Sequence, residues 1–161
     1  MADSTDPRLR AWSLVIDTYA LLMPRFAMEL EEDAGMSLSW FDVLANLLVA
    51  SNHQMRMGDL AERTVISFSR VSRVVDELAT RGLVERKPDR DDRRAVIVRL
   101  TPAGRKLQLQ AGRIHARGIQ EQFGAHLTKR QAQAIVAALE AVLSAHGTTP
   151  SPTTPWSASA D

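Results

Sequence analysis

A chain of 161 residues with a formal net charge of +1 and no cysteine has the length of one domain, or of one domain with an attached pairing element. The lack of thiols excludes disulfides, thiolate catalysis and cysteine-ligated zinc, and it fits a reducing compartment such as the cytoplasm. The acidic start Met1-Ala2-Asp3-Ser4-Thr5-Asp6 lacks the apolar segment of a secretory leader, and no apolar run approaches the ~20 residues of a membrane span, so a cytoplasmic location is expected.

In chain order, residues 8–33 read as a long helix. Leu9, Trp12, Ile16, Tyr19 and Met23 recur at steps of three and four, as one apolar helical face requires. Pro24 removes an amide donor and crowds the preceding turn, so a kink or break is expected there, and Gly35 ends the element. A second helix is predicted from Ser39. Ser39 and Asp42 have capping-box spacing, and Leu38 and Val43 have the spacing of a hydrophobic staple. The run Trp40-Phe41-Asp42-Val43-Leu44-Ala45-Asn46-Leu47-Leu48-Val49 is apolar nearly all round, which suits a helix in the middle of a domain.

Two short helical patterns follow. Met57 to Arg63 gives the first; after Thr64-Val65-Ile66 a helix runs from Ser67 to Arg81, with Gly82 placed as its stop. Two short helices so joined form a helix-turn-helix. The period then changes. Leu83-Val84-Glu85-Arg86-Lys87 and Ala95-Val96-Ile97-Val98-Arg99-Leu100 are β-rich, and the turn formers and charges of residues 88–94 separate them, so a hairpin with a basic tip is predicted. Thr101 and Pro102 cap and open another helix, which continues to about Phe123. Thr128 and Gln131 form a second capping box, and Ile135, Val136, Leu139, Val142 and Leu143 make the stripe of a last helix. Residues 147–161 are small, polar and Pro-rich, the composition of a disordered tail.

Charge is gathered in one part of the chain. From Arg63 to Lys106 there are twelve Lys/Arg against six Asp/Glu, a local balance of +6, which leaves −5 elsewhere. Such a concentration points to a polyanion site. The Ser67–Arg81 helix divides cleanly: Val71, Val74, Val75 and Leu78 form the inward stripe, and Ser69, Arg73, Asp76 and Thr80 face away, with Arg70 flanking. Ser67, Ser69, Arg70 and Arg73 occupy the first two turns, the half of a recognition helix that enters the major groove. There hydroxyls suit phosphates and arginine suits a guanine edge. In the hairpin tip, Arg90, Arg93 and Arg94 alternate with Asp89, Asp91 and Asp92. Either the tip neutralises itself, or Asp92 poses one arginine while another enters a narrow minor groove. Helix, turn, helix, hairpin in this order is a winged helix.

Residues 38–105 resemble the multiple antibiotic resistance regulator (MarR) family. The resemblance is carried by Leu38-Ser39-Trp40-Phe41-Asp42-Val43-Leu44, Asp59-Leu60-Ala61-Glu62-Arg63, the run from Ser69 to Leu78, Arg81-Gly82-Leu83-Val84-Glu85-Arg86, and above all the run from Asp92 to Arg105. The flanking helices fall where the family has them, so it spans about 8–146. It implies a mainly α fold with a small β-hairpin wing: an N-terminal dimerisation helix at 8–33, a winged helix-turn-helix at 38–105 and C-terminal dimerisation helices at 106–146. It also implies a homodimeric transcriptional regulator, generally a bacterial or archaeal repressor, bound to a pseudo-palindromic operator in double-stranded DNA. Carried onto this chain, the recognition positions are Ser67, Ser69, Arg70 and Arg73, and the wing positions are Arg90, Arg93 and Arg94. Many members have arginine where this chain has Asp91, which leaves open which arginine reaches the groove.

The family commonly binds small anionic or phenolic effectors between the dimerisation helices and the winged domain. By position, Trp40, His53, Met55 and Met57 are candidate contacts; the alternative makes Trp40 and Met57 core and His53 a loop residue. Absent cysteine excludes sensing by thiol oxidation. His53, His115, His126 and His146 lack metal-ligand spacing, and no nucleophile elbow or glycine-rich phosphate loop occurs, so neither metal, cofactor nor catalysis is expected. The other function to weigh is a winged-helix protein-interaction module without specific DNA binding.

Overall fold

The structure, a computed structural model, describes residues 6–64, 66–89, 92 and 95–148. Among them the chain forms six α-helices and one three-stranded antiparallel sheet.

Helix α1 (Pro7–Ala34) begins where Asp6 accepts the Arg8 amide and Pro7 supplies a preset φ. It ends at Gly35, whose φ of 59° lets its N–H reach Glu31 O at 3.0 Å. The helix runs unbroken through Pro24, contrary to a break there. Pro24 and Ala20 both lie on the exposed side, so the carbonyl that loses its intrahelical donor faces water, while Leu22, Phe26 and Leu30 bury the opposite side.

Helix α2 (Leu38–Val49) is capped by Ser37, whose hydroxyl accepts the Trp40 amide at 3.3 Å. This corrects the expected cap at Ser39. Ser37 alone has the extended backbone a cap needs, and Ser39 already lies inside the helix, as does Leu38, so the expected staple has no role. Phe41 and the unbroken run Val43 to Leu48 are buried, as an all-round apolar helix requires.

A strand that the sequence reading did not include comes next: β1 (Gln54–Arg56). Then α3 (Met57–Arg63) and α4 (Phe68–Thr80) form the helix-turn-helix, and Gly82, at φ 70°, turns the chain into β2 (Val84–Pro88). The return strand β3 (Val96–Leu100) is central, in the order β1-β3-β2, with Gln54 opposite Arg99 and Glu85 also opposite Arg99. Thr101 caps α5 (Pro102–Gln122) and also donates its hydroxyl to Gly82 O and Leu83 O at 2.8 and 3.0 Å. That contact brings α5 so close that a Cβ on Gly104 would meet Leu83 O at 2.1 Å. Helix α6 (Lys129–Ala145) starts in the expected capping box of Thr128 and Gln131.

The core lies under the helix-turn-helix. Leu44, Leu47, Leu60, Val71, Val75, Leu78 and Val98 are fully buried there, and Leu30 extends it to α1. The terminal helices are different. No residue of α6 is buried and none of α1 ahead of Leu22, which leaves Trp12 65% and Val142 56% exposed. Among the described residues no helix is long and apolar enough to cross a membrane.

Candidate nucleic-acid interface

Helix α4 is amphipathic because Val71, Val74, Val75 and Leu78 recur at helical spacing, and all four are buried. That stripe fixes which side chains point away. Ser67, the cap position, has no side-chain capping bond; its hydroxyl lies 3.3 Å from that of Ser69. Ser69, Arg70 and Arg73 are exposed on the first two turns, so the four residues named from the sequence share the start of one helix. Arg70 leans toward α2, donating from Nη2 to Ser39 Oγ at a long 3.4 Å. Phe68 joins this surface at 59% exposure, and an apolar residue carries no mark in the sequence that it faces outward. Hydroxyls and a helix N-terminus can hold phosphate oxygens, an arginine can pair with a guanine edge, and an apolar ring can meet a thymine methyl.

One ion pair sets the wing against this helix, and a second closes the wing on itself. Arg86 of β2 pairs with Asp76 of α4, and Arg56 of β1 pairs with Asp89 at the hairpin neck, Nε to Oδ2 at 2.7 Å. The neck is closed by Asp89 N–H donating to Ala95 O at 3.0 Å and Ala95 N–H to Asp92 O at 2.9 Å. Along β2, Lys87 bonds Glu85 at 2.8 Å and holds that carboxyl below the ordinary carboxylate range. Arg90, Arg93 and Arg94 lie outside the described residues, as does Asp91. Neither Arg56 nor Arg86 was singled out from the sequence, since nothing local marks an arginine whose partner comes from another element.

The four residues named as effector contacts are not brought together. Trp40 clasps α4, donating from Nε1 to Glu77 Oε2 at 2.9 Å while the Arg81 guanidinium sits 4.8 Å above its ring. Met57 is core, and Met55 packs against that core from the middle of β1. His53 lies at the end of α2, where its Nδ1 is 2.7 Å from Leu48 O. The strand is the reason for the scatter: alternation in β1 turns Met55 inward and its neighbours outward. An apolar cavity of about 360 Å³ lies instead between α1, α2 and α5, with Tyr19, Phe26, Leu38, Phe41, His115 and Ile119 in its walls. His115 sits between the rings of Phe26 and Phe41, 5.2 and 4.8 Å away, and burial pushes its imidazole below the ordinary value. Among the described residues no group of His, Asp and Glu is arranged to hold a metal ion.

Comparison with known proteins agrees with the fold. The model of the MarR family matches residues 34–95, which run from the end of α1 to the hairpin. An uncharacterized HTH-type transcriptional regulator of Bacillus subtilis is 34% identical over 62 residues, 38% of this chain and 39% of its own length. A MarR family transcriptional regulator of Streptomyces coelicolor, solved in complex with DNA, is 25% identical and superimposes with a TM-score of 0.80 over 95% of both chains. The transcriptional regulator BldR of Sulfolobus solfataricus is 26% identical, with a TM-score of 0.77 over 89% of this chain and 99% of its own.

Proposed function

As a chain that belongs to the MarR family, this protein, we propose, binds a pseudo-palindromic operator as a homodimer and regulates transcription, as a repressor released by a small-molecule effector. The observation that carries the reading is α4 itself: a helix with one face wholly buried and Ser67, Ser69, Arg70 and Arg73 exposed on its first two turns, braced by the wing through Asp76 and Arg86. Ser67 and Ser69 contact phosphate, and Arg70 and Arg73 reach base edges in the major groove. Arg90, Arg93 and Arg94 on the wing meet the adjacent minor groove. The DNA complex of the Streptomyces coelicolor relative supports DNA as the partner.

Dimerisation rests on α1 and α6. In one chain their stripes, including Trp12, Tyr19, Leu139 and Val142, stand exposed together, more apolar surface than a monomer of this size leaves open without use. Pairing two chains through residues 8–33 and 106–146 covers it and sets two winged domains, residues 38–105, about one DNA turn apart. The apolar cavity between α1, α2 and α5 is the place we assign to an effector, because it joins the dimerisation helices to the winged domain. An effector there acts only if it binds the two spacings of the recognition helices unequally.

The test is a mobility-shift titration of purified protein on the DNA flanking its own gene, at two salt concentrations and against scrambled competitor. A competitor-resistant shift that weakens steeply with salt is expected. No shift with effector-free protein, or one indifferent to salt and sequence, overturns the reading in favour of a protein-interaction module.

A further inference from the structure

We infer that the chain carries a second ligand site, distinct from the DNA surface and the apolar cavity, for a small molecule bearing two or more phosphate or carboxylate groups. The site is a cleft of about 680 Å³ at the base of the wing, walled by Asn52 and His53 after α2, Arg99 on β3, and Arg105, Lys106 and Arg113 on one side of α5.

Three observations support an anionic occupant. No carboxylate lines the cleft. Arg105, Lys106 and Arg113 form none of the ion pairs among the described residues, and Arg99 has only the field of Glu85 across the strand, a carboxylate already bonded to Lys87. Four cations held around one concavity repel each other unless an anion joins them. Finally, the rim is conformationally costly: Asn52 and His53 are consecutive non-glycine residues in the left-handed region, at φ 55° and 54°. That backbone sets the His53 ring. Because Leu48 O can only accept, Nδ1 carries the proton of the 2.7 Å bond, which holds the ring at the rim of the cleft.

DNA does not account for this cluster. The β2–β3 ladder runs from Pro88 opposite Val96 at the tip to Val84 opposite Leu100 at the base, about 13 Å at the rise of a strand. The start of α4 abuts the tip end, where Phe68 and Ser72 share a cleft with Ala95 and Val96. The cations lie at the base end, beside Leu100 and Thr101. A bound polyanion there would tie β3 and the end of α2 to α5, linking the winged domain to a helix that leads into the pairing surface. Its multiple charges match a cluster of forked guanidinium donors, and Leu100 and Leu109 offer apolar wall for a carbon skeleton.

The binding measurement itself needs no DNA, so its failure is distinguishable from failure of the reading above. Inorganic pyrophosphate, phosphate and citrate are titrated calorimetrically into the full chain, with ionic strength held constant by chloride. Saturable binding of pyrophosphate or citrate, at one site per chain and tighter than phosphate, is expected. The R105A/K106A double variant should bind at least about tenfold more weakly, a loss of roughly 1.4 kcal/mol, while K129A at the start of α6 should bind as the parent does. If the double variant does not fold, R113Q takes its place. Binding that chloride abolishes, or that both cleft variants retain, overturns the proposal. So does loss of DNA affinity with a shallower salt slope in R105A/K106A when pyrophosphate fails to bind, since the cations would then be phosphate contacts.

Discussion

Arg56 and Asp89 join the two outer strands of the wing at its neck, Nε to Oδ2 at 2.7 Å, with the Asp89 side chain only 9% exposed and that of Arg56 49%. Because β1 and β2 each pair with β3 and not with each other, this bond is a direct link between the sheet's edges. D89A should therefore destabilise the fold by about 1–2 kcal/mol, toward the low end for a hydrogen bond between charged groups because half-exposed Arg56 is screened by solvent, read as a lower urea midpoint with unchanged slope. It should also weaken operator binding, since the hairpin tip follows directly. An unchanged midpoint would mean that solvent screens the pair fully.

Arg73 is exposed on α4, whereas Arg70 leans on Ser39. R73A should cost about 1–3 kcal/mol in operator affinity and flatten the preference for operator over scrambled DNA. R70A should cost less, because that guanidinium is shared with Ser39 Oγ, and should reduce the preference to a smaller extent. Competition shifts with both variants check this, and equal preference in R73A and the parent would remove Arg73 from base readout.

His115 gives a pH dependence of known sign. Burial lowers its pKa from the ordinary 6.5, so the folded chain binds fewer protons there than the unfolded chain. Its contribution is complete above the ordinary value and is lost as pH falls through it toward the folded value. Against H115L, the parent should lose stability as pH falls below the ordinary imidazole value of 6.5, measured by urea unfolding at each pH. Parallel curves for the two proteins would show that His115 is hydrated in the native state.

The exposed stripe of α6 makes the proposed dimer testable without DNA. Leu139 and Val142 are 44% and 56% exposed in the single chain. L139E or V142E should raise the dimer dissociation constant at least about 100-fold, roughly 2.7 kcal/mol, seen by sedimentation velocity as a shift to monomer. A variant that stays dimeric would move the interface elsewhere.

Elements built from local rules were legible from residue order. The buried stripe of α4, Gly82 after it, and the caps at Thr101 and Thr128 each depend on residues within one or two turns, and each stands where expected. Where several local signals compete, order alone misled: Ser37 and Ser39 are two residues apart, and only backbone conformation selects Ser37. Pro24 likewise reads as a break, yet the helix runs through it with Pro24 and Ala20 both on the exposed side.

What residue order determined is the winged-helix pattern and the face of α4 that leaves Ser69, Arg70 and Arg73 exposed, because helical periodicity and chirality turn spacing into direction. Tertiary structure alone decided which distant groups meet. β1 is three residues long, too short to show a period, and exists because β3, more than 40 positions on, supplies its hydrogen bonds. Trp40 belongs to Glu77 and Arg81 rather than to a cleft, Arg56 belongs to Asp89, and the cations of Arg99, Arg105, Lys106 and Arg113 converge on one concavity. Such pairings carry no local signature, since they depend on where packing against a shared core brings each element, and that position is a property of the whole chain.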